Sequence, residues 1–195
     1  MRRVILSSAL AILAMIEFSC EHNTPNSPEE AGLGYFPMKV GNHWIYESAI
    51  PQSDWAFELK IVGTTHISGK KYFIFEKRNL DSGFVDSTLY RADEDGKIHI
   101  YKEGQERLYI DFALAAGESW PSYLGYTGEI SQKNGSREVP AGAFENCVGV
   151  FFDAPDSVDE ELNNIYAPGV GLIETSGFRF VLQLKSAVVN GVEFP

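Results

Sequence analysis

The chain has 195 residues, a formal charge of −11, 44% hydrophobic and 13% aromatic residues, and two cysteines. That is ample apolar material for one core without disulfides or metals, and it excludes disorder for the bulk of the chain. The acidic balance repels phosphate backbones and anionic lipid surfaces. Nucleic-acid binding is therefore excluded, and membrane attachment has to rest on something other than the protein face.

Residues 1–19 have the plan of an export leader. Arg2 and Arg3 precede an uncharged apolar run over 4–16, shorter than the roughly 20 residues that span a bilayer. Ser19 and Cys20 close it. A cysteine in that place resembles the signal of bacterial lipoproteins, which implies cleavage before Cys20 and fatty acylation of its thiol. Glu17 and Phe18 depart from the usual pattern, so ordinary secretion and an uncleaved anchor stand as alternatives. Loss of 1–19 takes the mature charge to about −12. Residues 20–34 carry two prolines and no apolar periodicity, and read as a tether spanning roughly 20 Å on average. With Cys20 acylated, Cys147 has no disulfide partner and is expected as a small buried hydrophobe in a strand.

From Tyr35 to Pro195 the apolar period is two. Trp55, Phe57, Leu59 and Ile61 share one face, with Glu58 and Lys60 on the other. Leu108, Ile110 and Phe112 alternate in the same way, as do Phe178, Phe180, Leu182 and Leu184. Such alternation marks half-buried antiparallel strands. Ser68-Gly69, Asp81-Ser-Gly83, Asp95-Gly96, Glu103-Gly104 and Asn134-Gly135 supply hairpin turns between the runs. Residues 156–164 hold at most a turn or two of helix. With so little helix to cover a sheet, the spacing predicts an all-β domain over 35–195. It should be an antiparallel meander curled into a strongly curved sheet, a half-barrel or a barrel.

Motifs that carry chemistry are missing. There is no nucleophile elbow, zinc-protease helix, phosphate loop or cysteine pair at zinc spacing. Asp93-Glu-Asp95-Gly-Lys-Ile98 mimics part of a calcium loop, but Arg91 and Lys102 stand where its end carboxylates belong. The four histidines (His22, His43, His66, His99) form no ligand spacing. No catalytic residue, metal or cofactor is expected. The aromatics Trp44, Tyr46, Trp55, Phe57, Tyr72, Phe73, Phe75, Phe112 and Trp120 can line the concave side of the sheet. Among them Trp44, Trp55, Phe57 and Trp120 are the candidates for an apolar ligand wall, with simple core filling as the alternative.

Three segments together resemble an uncharacterised group of bacterial cell-envelope lipoproteins. They are Tyr35-Phe-Pro-Met-Lys-Val-Gly41-Asn-His-Trp44-Ile-Tyr46, Val139-Pro-Ala-Gly-Ala-Phe-Glu-Asn-Cys147-Val148 and Tyr166-Ala-Pro-Gly-Val-Gly-Leu-Ile173. The resemblance spans about 35–191 and implies an exported, β-rich domain without assigned activity. The expected function is a lipid-anchored, non-enzymatic envelope protein that contacts an envelope partner or an apolar ligand. It would sit at the outer membrane, facing the periplasm or the cell surface. A carrier for lipid or another apolar ligand is the alternative, and an envelope hydrolase comes third.

Overall fold

The computed structural model describes residues 34–51, 53, 55–154 and 157–195; the expected leader, Cys20 and most of the 20–34 tether lie outside them. The period-two runs form thirteen strands of one antiparallel sheet. They are β1 (His43–Ser48), β2 (Ala56–Ile67), β3 (Lys70–Asn79), β4 (Val85–Ala92), β5 (Ile98–Lys102) and β6 (Gln105–Ile110), then β7 (Ser119–Pro121), β8 (Thr127–Val139), β9 (Gly142–Asp153), β10 (Leu162–Ala167), β11 (Gly171–Gly177), β12 (Phe180–Val189) and β13 (Val192–Phe194). The order across the sheet is β6-β5-β4-β3-β2-β1-β12-β11-β10-β9-β8-β7, with β13 also on β12. The chain begins in the middle, walks out to one edge, crosses to the other edge and walks back.

The two edges, β6 and β7, are consecutive in sequence and they meet. Trp120 Nε1 donates to Tyr109 O at 3.0 Å, and Ser122 Oγ reaches Leu108 O at 3.2 Å and Tyr109 O at 3.1 Å. The sheet is thus nearly closed into a barrel, with a seam of side-chain bonds instead of a ladder. The seam occupies carbonyls that an open edge would offer to another chain.

Turns at Ser68-Gly69 and Glu103-Gly104 have positive φ at both residues, which matches the twist of two-residue hairpins. Asn134-Gly135 is different. It lies inside β8 at a series of register shifts against β9, where it bends one long strand, and the actual turn is Pro140-Ala141. That bend lets the hairpin tip reach β12, where Ala141 N–H donates to Leu184 O at 3.0 Å. Phe178 is also displaced from its expected strand. It sits with Arg179 (φ 62°) in the turn between β11 and β12. Residues 157–161 hold no helix, in keeping with their thin apolar stripe, and β10 starts at Leu162.

Two buried clusters fill the interior. One centres on Trp44, Tyr46, Ile61, Phe75 and Leu184, the other on Ile98, Ile110, Phe112, Val150, Phe152 and Tyr166. Phe36, Met38, Tyr90 and Leu172 touch both. The segment before β1 therefore enters the barrel as packing material. Asn42 clamps it, donating from Nδ2 to Pro37 O at 3.1 Å while its Oδ1 accepts from Asn190 N–H at 2.8 Å.

At the seam the Trp120 indole lies flat over Gly128, its register partner, so a Cβ there would overlap the ring. Overpacking of this kind costs about 1–3 kcal/mol. Gly128→Ala should lower the urea midpoint accordingly, and an unchanged midpoint would show that the indole does not seal the barrel.

Candidate functional site

Packing around Phe36 and Pro37 is incomplete. A cavity of about 140 Å³ remains between them and the barrel wall, lined chiefly by Trp44, Tyr46, Leu59, Phe75, Tyr90, Tyr109, Tyr166 and Leu172. Strand alternation explains the wall. Trp44 and Tyr46 share one face of β1, Phe75 and Lys77 one face of β3, Thr88 and Tyr90 one face of β4. The polar atoms of the first two are engaged elsewhere: Trp44 Nε1 donates to Val170 O at 2.7 Å and Tyr46 OH to Leu172 O at 2.8 Å. What they present to the cavity is apolar.

Deeper in the wall the rings of Tyr90, Tyr109 and Phe36 pack together. Tyr90 and Tyr109 have centroids 5.2 Å apart, and Phe36 meets Tyr90 edge-on at 5.3 Å. Tyr109 also stacks on Phe152 at 5.4 Å. The Tyr109 phenol interacts with those of Tyr90 and Tyr166, and burial raises the pKa of all three above the ordinary phenol range. Tyr46 is raised for the same reason. Beside Tyr166, the Asn164 amide donates from Nδ2 to its hydroxyl at 3.4 Å, while Asn164 Oδ1 is buried without a partner.

Lys77 stands at the mouth. It lines the cavity and also an outer hollow of about 260 Å³ formed with Trp55, Phe57, Asn79, Phe84, Asp86 and Leu182. Its Nζ lies 4.2 Å from the centre of the Phe57 ring. Desolvation by these walls lowers the lysine pKa, and Asp86 opposes that shift. Trp55 is 52% exposed and Phe84 69% exposed, so the outer hollow has an aromatic rim.

Of the four aromatics expected as a ligand wall, Trp44 lines the cavity. Phe57 is buried and, with Trp55, belongs to the outer hollow. Trp55 precedes β2 and meets Phe180 edge-on at 6.1 Å instead of joining the inner face with Phe57 and Ile61. Trp120 belongs to the seam. Tyr72 packs on Tyr101 and bonds Glu106, outside the cavity. Strict alternation with Leu108 and Ile110 would put Tyr109 on the opposite, solvent face. A register shift between β5 and β6 brings it inside, and Phe36, before the first strand, has no period to betray it. Lys77 was legible: it follows Phe73 and Phe75 at period two, a cation on an apolar face.

Other polar clusters are saturated. Glu106 accepts from Arg91 Nε at 2.5 Å and Nη2 at 2.7 Å, from Lys70 at 2.8 Å and from Tyr72, and the Arg91 guanidinium holds its carboxyl far below the usual range. Glu174, itself buried, is gripped by Arg137 and Gln183. Cys147 is buried, and desolvation raises its thiol pKa, the reverse of what activates a thiolate. Among the described residues no group of three or more His, Cys, Asp or Glu is placed to hold a metal.

No family model matches the chain, and no curated protein matches it. Two solved structures are similar. A putative exported protein with YmcC-like fold from Bacteroides fragilis has a TM-score of 0.50 at 11% identity, covering 76% of this chain and 96% of its own. A putative lipoprotein from Parabacteroides distasonis has a TM-score of 0.44 at 14% identity, covering 76% and 95%. The first likeness is one of fold: the curled antiparallel sheet is an architecture already seen in an experimental structure.

The buried phenols have a measurable consequence. Unfolded tyrosines ionise near pH 10, whereas these folded ones stay protonated above it. Their contribution to stability is complete below about pH 10 and declines as the pH rises past it. Phenolate absorbance of the folded protein at about pH 11 should report fewer than the nine tyrosines present, and all nine only after unfolding. Ionisation of all nine with native circular dichroism intact would refute the burial.

Proposed function

We propose that the chain is a non-enzymatic cell-envelope lipoprotein, held to a membrane by fatty acyl chains on Cys20, whose barrel captures a small apolar ligand. The observation that carries this is the cavity bounded by Phe36, Trp44, Phe75 and Tyr90. At about 140 Å³ it is close to the size of engineered apolar cavities that stay dry and take up benzene. A long acyl chain does not fit that volume, which narrows the carrier reading to ligands of about six carbons.

The orientation suits the role. Gly34, where the tether ends, accepts from Gly169 N–H at 2.6 Å, in the turn before β11. The Trp55–Phe180 contact on the rim lies beyond the turn at the other end of β11. The outer hollow therefore lies toward the end remote from the tether. The export leader, and the likeness of fold to an exported protein, support an envelope location. A second reading, docking of an envelope protein on the rim, is favoured by the exposure of Trp55 and Phe84.

Two measurements test the proposal. Cells fed an alkyne-tagged fatty acid should label the wild-type chain and not Cys20→Ala; equal labelling of both, or of neither, removes the lipid anchor. In ligand-observed NMR the purified β domain should bind benzene and leave an eighteen-carbon fatty acid free. Uptake of the long acid would make it a lipid carrier, and binding of neither would leave the rim as the functional surface.

A further inference from the structure

Taking the cavity as a binding site, we propose that its ligand is a small apolar monocarboxylate, with a body of about six carbons against Phe75 and Tyr90 and its carboxylate on Lys77 Nζ. Phenylacetate has this chemistry, and so does a short-chain fatty acid.

Among the described residues Lys77 is the one cationic side chain in the lining of either compartment, and it belongs to both. It shares a strand face with Phe75, so its ammonium stands where the apolar interior gives way to the outer hollow. None of the ion pairs among the described residues involves it. Asp86 is its register partner on β4, but that carboxylate accepts the Ser87 N–H at 2.8 Å and lies exposed. What Lys77 does touch is the face of Phe57, a weak partner for an ammonium. On a protein of charge −11, a cation partly desolvated and left on an aromatic ring is poised for an anion.

The ligand's orientation follows from the same groups. An inverted ligand would place its carboxylate among Tyr90, Tyr109 and Tyr166, which offer neutral hydroxyls and no cation. A charge buried without a counter-charge is expensive, so the head belongs at the mouth and the body inside. The volume then limits the body to a ring or a short chain.

Calorimetry with phenylacetate and its neutral counterpart phenylacetamide tests this, alongside benzene binding as the control for the cavity itself. Wild type should bind the acid about tenfold or more tightly than the amide, the scale of one charge-assisted hydrogen bond. Lys77→Met should abolish that preference, with benzene binding still detected as the check that the cavity is intact, while Lys77→Arg should retain part of it. Benzene binding with no preference for the acid, or a preference that survives Lys77→Met, overturns the carboxylate proposal and leaves the cavity as a binding site. A preference lost in Tyr109→Phe but kept in Lys77→Met would establish the inverted orientation and also overturn it. If none of the three compounds binds wild type, this proposal and the ligand-capture reading both fall.

Discussion

Phe36 is the residue on which the interior depends. Among the described residues no helical layer covers the sheet, so it has to cover its own inner face, and this barrel does so partly with the chain that precedes its first strand. The Phe36 ring contacts Phe75, Tyr90, Tyr109 and Tyr166, drawn from four strands and from both buried clusters. Gly34 and Asn42 hold the segment in place at either end through Gly169, Pro37 and Asn190. Gly171 has to be glycine for the same reason: its φ is +97°, and a Cβ there would sit 3.2 Å from Pro37 Cδ. The cavity is the volume this insert leaves unfilled, so fold and candidate site have one origin.

Charge is arranged to leave that interior neutral. Glu106 and Glu174 each gather cations or donors from neighbouring strands, and each is fully engaged. Ion pairs like these say little about net stability, because desolvation offsets much of the attraction. Their geometry does tie strands together: Glu106 on β6 binds Arg91 on β4 and Lys70 on β3. Glu174 on β11 binds Arg137 on β8, across the bend that Asn134-Gly135 puts into that strand. Lys77 stands apart from both networks, and that isolation gives the cavity mouth its chemical character.

Much of the architecture was legible in the residues. Alternation identified most strands, and Ser68-Gly69 and Glu103-Gly104 were turns because only positive φ closes so short a hairpin. Asn134-Gly135 has the same local chemistry, yet packing against β9 makes it a bulged bend, a choice decided by tertiary contact. The register shift leaves Tyr109 as the extra residue between the Leu108 and Ile110 pairings, which is how it came inside while its neighbours kept their period. Trp55 failed for a simpler reason: β2 begins one residue later, and alternation does not extend past a strand's end. Of the candidate site, Trp44 and the placement of Lys77 follow from local pattern. Phe36, Tyr90 and Tyr166 come together only through closure of the sheet.

The central claim is that the barrel holds a dry, reachable apolar cavity beside Phe36. Diffraction from a crystal of the β domain pressurised with xenon tests it most directly. The account predicts a xenon atom between Phe36, Phe75 and Tyr90, with the barrel otherwise unchanged. A solid core there, or ordered water in place of the gas, would contradict it.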